Sequence, residues 1–413
     1  MVTLLAYLLE YNRYMSLVGI TAVIAVAFIF SNNRKKINLR LIGTALLMQC
    51  GLALFILHSV PGQMMFKSLA HGFEALYAFA AAGSQFVFGN LARADGPCGI
   101  VFAFNVVPII IFFGALLSLL YHCGIVQLIV RFLAFVIRPL LGTSGAETLS
   151  VTANSVLGQT EAPLLIKNYL PGMTQSELFV VMVSGMAHIS GSLLAVYGSM
   201  GIPIVHLLSS SVMAIPGSFL VAKMLVPETD VPETMSGSLN VGTRETTNSL
   251  DAIFRGTIDG MKLAVNIIAM LIAFISLIAL ADYILAATTG LFLTEGLTLN
   301  VILGKLFYGV AWIIGIPLQD CSVAGSLLGQ KFVINEFVAY TGLAQAHVLD
   351  RTHVLMTYAL AGFANFSSIG IQIGGIGAIC PSKQQSLTQL GMRALLGGTL
   401  ANLLNAALVG LFI

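Results

Sequence analysis

Long apolar runs separated by small polar interruptions dominate this chain. Residues 178–222, 352–382 and 394–413 contain no Asp, Glu, Lys or Arg. About 20 apolar residues suffice to cross the hydrocarbon core of a bilayer, so runs of this kind predict spanning helices. Such runs fall at 16–30, 41–57, 101–120, 263–285, 301–316, 352–373 and 395–413, and 178–225 holds two more, divided near 198–203. Other stretches break the pattern. Residues 61–95 are mixed, with Lys67, His71, Glu74 and Arg93 among Phe, Ala and Gly, which predicts an interfacial helix and a loop. Residues 121–139 are apolar but carry Arg131 and Arg138 at helical spacing, the pattern of a peripheral amphipathic helix. Residues 227–255 form the one long polar stretch, with the breaker composition of an aqueous loop.

Two segments, 142–169 and 322–340, are apolar overall but polar at mid-length. Each can enter the membrane, turn at a polar tip and return. Irregular backbone at that depth is tolerated only where protein or a water-filled cavity satisfies it, and the ends of half-helices supply free N–H and C=O groups to a ligand or cation.

Composition narrows the class. Of 413 residues 57% are hydrophobic and 9% charged, against about 25% charged in soluble domains, so the chain cannot cover a water-facing surface. The apolar segments are long and lack strict alternation, which excludes a β-barrel. The fold class is therefore all-α and polytopic in the membrane. The basic cluster Arg34-Lys35-Lys36 with Arg40 is expected on the cytoplasmic side, placing the N-terminus outside. A net charge of +2 without a basic arm argues against nucleic acid as a partner. Cys50, Cys98, Cys123, Cys321 and Cys380 are scattered with no C-x-x-C pair, so they read as free thiols. Residues 1–15 lack the order of a cleavable signal. Neither H-E-x-x-H nor a phosphate-binding loop occurs, which argues against a metalloprotease and against ATP drive.

Within this apolar background, Gly158-Gln159-Thr160-Glu161-Ala162-Pro163 and Asn335-Glu336-Phe337 stand out. Acids at membrane depth are costly and are functional candidates by default. The chain also repeats. Gly185-Met186-Ala187-His188-Ile189-Ser190 matches Gly362-Phe363-Ala364-Asn365-Phe366-Ser367, Arg138-Pro139-Leu140 faces Ile316-Pro317-Leu318, and Pro216-Gly217-Ser218 faces Gly397-Gly398-Thr399. Residues 161 to 190 and 336 to 365 are equally spaced. Matching acids beside glycine-broken helices in two halves point to a transporter site at a repeat interface.

These residues resemble the concentrative nucleoside transporter family. The first tip is similar to that family's first hairpin. Gly329-Gln330-Lys331 followed by Asn335-Glu336-Phe337-Val338-Ala339-Tyr340 resembles its G-x-K-x-x-x-N-E-F-x-x-Y signature, and Gly362 to Ser368 resembles its discontinuous penultimate helix. The resemblance implies eight transmembrane helices, two re-entrant helical hairpins, inverted repeats and a homotrimer in which a transport domain moves against a scaffold. On that pattern residues 1–121 are N-terminal, scaffold and interfacial segments, 122–225 the first repeat, 226–256 a polar loop, 257–300 a scaffold helix and 301–413 the second repeat.

The implied function is cation-coupled import of a nucleoside such as uridine across a bacterial inner membrane, with sodium the expected cation and a proton the alternative. Gln159, Thr160 and Glu161 would read the base, with apolar contact from Leu193. Glu336, Asn365 and Ser368 would hold the ribose, with Phe363 packed on the sugar or base. A packing role for Phe363 and pairing of Glu161 with Lys167 or Arg138 stay open. Asn335 either caps the second tip or orients it. The implied cation site uses Asn154, the carbonyls of Leu157 and Ile189, and position 188. Family members often carry a small hydroxyl residue there, whereas this chain has His188. Imidazole is a poor sodium ligand and titrates near neutral pH, so His188 admits proton coupling or a bond to backbone at a helix break. A membrane enzyme would need a nucleophile–base set or metal ligands, and neither is evident. A passive channel would need a polar pore-lining helix, also not evident.

Overall fold

The computed structural model describes residues 12–92, 101–235, 246–289 and 297–413. Among these the regular structure is entirely helical. Among the described residues, six helical stretches are long and apolar enough to cross a membrane: Leu39–His58, Ala103–His122, Gln175–Ser199, Ile204–Leu225, Ser249–Thr288 and Pro381–Phe412. Arg13–Ile29, Leu299–Ile313 and Phe366–Ile379 are shorter apolar helices. Arg93, Cys98 and the middle of the polar stretch lie outside the described residues.

The N-terminal part comprises α1 (Arg13–Ile29), α2 (Leu39–His58), α3 (Val60–Phe88), α4 (Val107–His122) and α5 (Ile125–Leu141). The stretch expected to be interfacial is one 29-residue helix, α3. It leaves Met64, Phe79 and Phe86 exposed. On α5, Val126, Val130, Ile137 and Leu141 face the protein while Leu128, Phe132 and Phe135 face outward, as expected of a peripheral helix lying on lipid.

α6 (Gly145–Asn154), α7 (Gln175–Ala187), α8 (Gly191–Ser199) and α9 (Ile204–Leu225) follow. Both α6 and α7 begin with capping boxes. Ser144 Oγ accepts from Glu147 N while Glu147 Oε1 accepts from Ser144 N at 2.8 Å, and Thr174 and Glu177 repeat the arrangement. Such reciprocal bonds satisfy the free N–H groups of the first turn. Buried Lys223 of α9 ties the two starts together. Its Nζ lies 2.8 Å from Glu147 Oε2 and 3.2 Å from Glu228 Oε2, and donates to Ser176 Oγ at 3.1 Å. Ser144 Oγ also donates to Glu177 Oε1 at 2.5 Å. The chain returns from the first tip through short 3₁₀ turns, Ala162–Ile166 and Leu170–Gly172, not through an α-helix. Pro163 and Pro171 fall in this limb, and each removes a backbone donor.

α10 (Ser249–Thr289) begins inside the stretch that composition assigns to a loop. Asn248 Oδ1 accepts from Asp251 N at 2.9 Å, and Arg255 pairs with Asp251 at 2.9 Å one turn on. Residues 248–255 of that stretch are therefore the capped, exposed start of a helix. α11 (Leu299–Ile313), α12 (Cys321–Val333), α13 (Glu336–Gln345), α14 (Asp350–Leu360), α15 (Phe366–Ile379) and α16 (Gln384–Phe412) complete the chain. α11 and α12 pack extensively. A Cβ on Gly325 would stand 2.7 Å from Gly304 O, so small residues set this approach.

Both apolar runs that carry the repeated Gly-x-Ala motif are interrupted. α7 ends at Ala187 and α8 starts at Gly191; α14 ends at Leu360 and α15 starts at Phe366. The run at 352–373, read by hydropathy as one span, is thus two half-helices. Ser190 and Asn365, each 29 residues beyond a tip acid, hold the same position as N-caps, accepting from Leu193 N at 3.4 Å and Ser368 N at 2.9 Å. The breaks touch. Gly362 has φ +153°, and a Cβ there would lie 2.6 Å from Met186 O and 2.6 Å from Asn402 Oδ1. Only glycine combines that backbone with so close an approach.

Candidate functional site

The structure brings Gln159, Glu336, Asn365 and Ser368 into one buried polar network. Glu336 is the first residue of α13, presented by the capping of Val338 N by Asn335 Oδ1 at 3.0 Å. Asn335 therefore caps the second tip. Its neighbour's carboxylate is only 5% exposed. Oε1 accepts from Tyr197 Oη at 3.1 Å and Oε2 from Asn365 Nδ2 at 3.0 Å. Asn365 Oδ1 accepts from Ser368 N and, at 2.6 Å, from Ser367 Oγ. Ser368 Oγ accepts from Gln159 Nε2 at 3.3 Å, and Gln159 Oε1 accepts from Gln372 Nε2 at 3.2 Å. Gln372 also donates to Met182 O at 3.0 Å. The first tip is thereby joined to α15, and the second tip to α8. A Cβ on Gly185 would lie 2.5 Å from Gln372 Nε2 and 3.1 Å from Gln159 Cβ, so glycine there makes room for the amide pair.

The other residues of the first tip lie at the edge of this network. Thr160 turns its methyl toward α15, where a Cβ on Gly375 would stand 2.8 Å from Cγ2. Glu161 is exposed, and its Oε2 accepts from Gly158 N at 2.8 Å, closing the tip on itself. Leu193 is buried on α8, and Phe363 is half-buried at the α14–α15 break. Tyr197, Gln372, Lys331 and Asn402 were not singled out by sequence reasoning as site residues. Tyr197 and Gln372 follow the caps Ser190 and Asn365 by seven residues each, a two-turn helical spacing that would have pointed to both.

The residues of the implied cation region are also neighbours. Gly191 N donates to Val156 O at 2.9 Å, so the turn after α6 lies against the α7–α8 break. Asn154 Nδ2 donates to Ser184 Oγ at 3.0 Å, while Asn154 Oδ1 is buried and accepts no hydrogen bond. His188 is buried, with Nδ1 2.8 Å from Ser184 O. A bond there fixes the proton on Nδ1 and leaves Nε2 a bare acceptor, and Nε2 has no hydrogen-bond partner. Ser184, between the two side chains, is a hydroxyl that sequence reasoning missed. Among the described residues no three His, Cys, Asp or Glu side chains cluster as metal ligands do.

The helices, the paired tips and the broken helices define a multi-pass membrane transporter. Comparisons with known proteins are specific. The model of the Na+ dependent nucleoside transporter C-terminus matches residues 206–410, that of the corresponding N-terminus residues 18–91, and a nucleoside recognition "Gate" model residues 103–203. An uncharacterized transporter of Haemophilus influenzae is 43% identical over 96% of this chain and 97% of its own length. Nucleoside permease NupC of Helicobacter pylori is 39% identical over 98% of both chains. Sodium/nucleoside cotransporter 1 of rat is 37% identical over 97% of this chain and 64% of its own. CNTnw in an inward-facing substrate-bound state superposes with a TM-score of 0.92 at 39% identity, covering 97% of each chain. The chain belongs to the family of Na+-dependent, concentrative nucleoside transporters. It is a transporter and not an enzyme.

Proposed function

We propose that the protein is a sodium-coupled nucleoside symporter importing nucleosides such as uridine across a bacterial inner membrane. The observation that carries this reading is the buried Glu336 carboxylate, held between Tyr197 and Asn365 and joined through Asn365 and Ser368 to Gln159. A carboxylate accepts from two adjacent ribose hydroxyls in charge-assisted bonds, stronger than neutral ones. The amide of Gln159 offers a donor and an acceptor to a base edge. Thr160, Glu161, Leu193 and Phe363 complete the proposed pocket. A network built to hydrogen-bond its ligand rejects analogues that lack the matching groups.

Asn154 Oδ1 supports sodium, since a hard cation takes oxygen ligands and this buried oxygen has no other partner. The carbonyls of Leu157 and Ile189 supply further oxygens in the proposed set, and His188 supports it from behind through its bond to Ser184 O. The tips at 155–161 and 334–336 belong to re-entrant hairpins in this reading. A transport domain of 122–225 and 301–413 moves as an elevator against a trimeric scaffold drawn from 1–121 and 257–300, among eight transmembrane helices. Solved structures of CNTnw in inward-facing, intermediate and outward-facing states support alternating access.

A second reading, proton coupling, is favoured by the partnerless Nε2 of buried His188. Uptake of labelled uridine into proteoliposomes, with inward sodium and proton gradients imposed separately, decides between them. We expect accumulation under sodium alone. Accumulation under protons alone would transfer the coupling role to His188 or a tip carboxylate, and no uptake under either gradient would remove uridine transport.

A further inference from the structure

Asn402 on α16 lies outside the proposed pocket and is fully buried. Its Nδ2 donates to Ala187 O at 2.8 Å and to Ala361 O at 2.5 Å. These carbonyls stand at the C-terminal ends of α7 and α14, the half-helices whose breaks define the two halves of the site. Carbonyls there have no partner within their own helix. One amide thus serves both breaks. Its Oδ1 accepts from Lys331 Nζ at 2.7 Å, and the same ammonium donates to Ala359 O at 2.9 Å. Lys331 lies on α12, five residues before Glu336, and is buried. A cation at the C-terminal end of a helix also complements the partial negative charge of its dipole.

The connections run through contiguous groups. Ala187 immediately precedes His188 and Ile189, the cation side. Ala361 precedes the Gly362 turn that places Asn365, the substrate side. Lys331 reaches the second tip through α12. A shift of Ala187 O in the α7 break therefore either breaks its bond to Asn402 or moves the side chain that also holds Ala361 O and Lys331.

We propose that Asn402 and Lys331 form a relay coupling cation occupancy at the α7 break to nucleoside affinity at the Glu336–Asn365 pair. The proposal rests on the symporter reading above and adds to it two positioning residues that touch neither ligand. Coupling between two ligands is reciprocal and is measured as the ratio of one ligand's affinities with and without the other. That ratio separates a relay from a purely structural role, which lowers stability or both affinities and leaves their ratio intact.

The test is uridine binding to the full-length protein in detergent by calorimetry. Sodium chloride is compared with choline chloride at equal ionic strength, and acidic with neutral pH. Wild type is expected to bind uridine more tightly with its coupling cation, within the about 5- to 150-fold usual for linked sites. Asn402→Asp keeps an acceptor for Lys331 but turns an oxygen toward the two carbonyls. It is expected to reduce that ratio toward one while uridine affinity without the cation changes only about threefold, the smaller effect of a side chain remote from the ligand. Lys331→Gln, which keeps a shorter donor, is expected to reduce the ratio in part, and it carries the test should Asn402→Asp fail to fold. An undiminished ratio in folded variants overturns the relay and leaves the symporter reading standing. A wild type whose uridine affinity ignores both cations overturns the relay together with the coupling, and a wild type that does not bind uridine overturns the substrate assignment first.

Discussion

At the scale of single residues, the burial of Glu336 makes it the most consequential side chain in the chain. Its two partners are neutral donors, Tyr197 and Asn365, and a glutamine would fill the same space. Hydrogen bonds to charged groups are worth about 1.5–3 kcal/mol, so Glu336→Gln is expected to raise the KM for uridine uptake by roughly ten-fold or more while the variant purifies and unfolds like wild type. Wild-type kinetics in a well-folded variant would remove the carboxylate from the ribose contact. Much of this site was legible in the sequence. Gln159 and Glu336 stood out because amides and acids are rare in such apolar surroundings, whereas Asn365 and Ser368 were implied by the resemblance of residues 362–368 to the family's discontinuous helix. Tyr197 and Asn402 did not, because one hydroxyl or one amide in an apolar helix reads as packing until its distant partners are known. Asn402 meets Ala187, 215 positions away in the chain, and no local pattern carries such a contact.

At the scale of elements, hydropathy located the spans, and the repeat and the resemblance, not hydropathy, located the interruptions. Hydropathy averages over a window, so it passed smoothly across Ala361 to Asn365, where Gly362 and the cap Asn365 interrupt the helix. It also assigned the capped start of α10 to a loop, since polarity at a helix end and polarity in a loop look alike. The capping boxes at Ser144 and Thr174 have a consequence that can be measured. Both carry buried acids, and Lys223 lies among Glu147, Glu228 and Ser176. Removing one partner of a buried ion pair costs about 3–5 kcal/mol because the other charge stays buried. Lys223→Met is therefore expected to lower the thermal unfolding midpoint in detergent clearly. Adding Glu147→Gln and Glu228→Gln should restore most of the loss, since neighbouring sites do not add independently. A triple variant no better than the single one would show that packing, not charge, is what Lys223 supplies.

At the scale of the whole molecule, exposure is uneven. α9 and α16 are largely buried, whereas α10 carries Ile272, Ile275, Leu277 and Tyr283 outward. An apolar surface of that length needs lipid or other copies of the chain against it. On the proposed trimer, native mass spectrometry of protein released gently from detergent is expected to give three copies. A monomer across detergents would remove that assembly.

The crossed contacts of the two tips reach further than transport. Gln159 in the first half finds Ser368 in the second, and Glu336 in the second half finds Tyr197 in the first. On the duplication read from the sequence, a lone ancestral half would have carried a tip with no opposing half-helix to grip. Two copies related by a two-fold axis, each lending its tip to the other, would have completed two such grips at once, as a self-complementary interface requires. Fusion into one chain then freed the two tips to diverge. The two tip acids, Glu161 and Glu336, descend, on this view, from a common half that once met its own likeness.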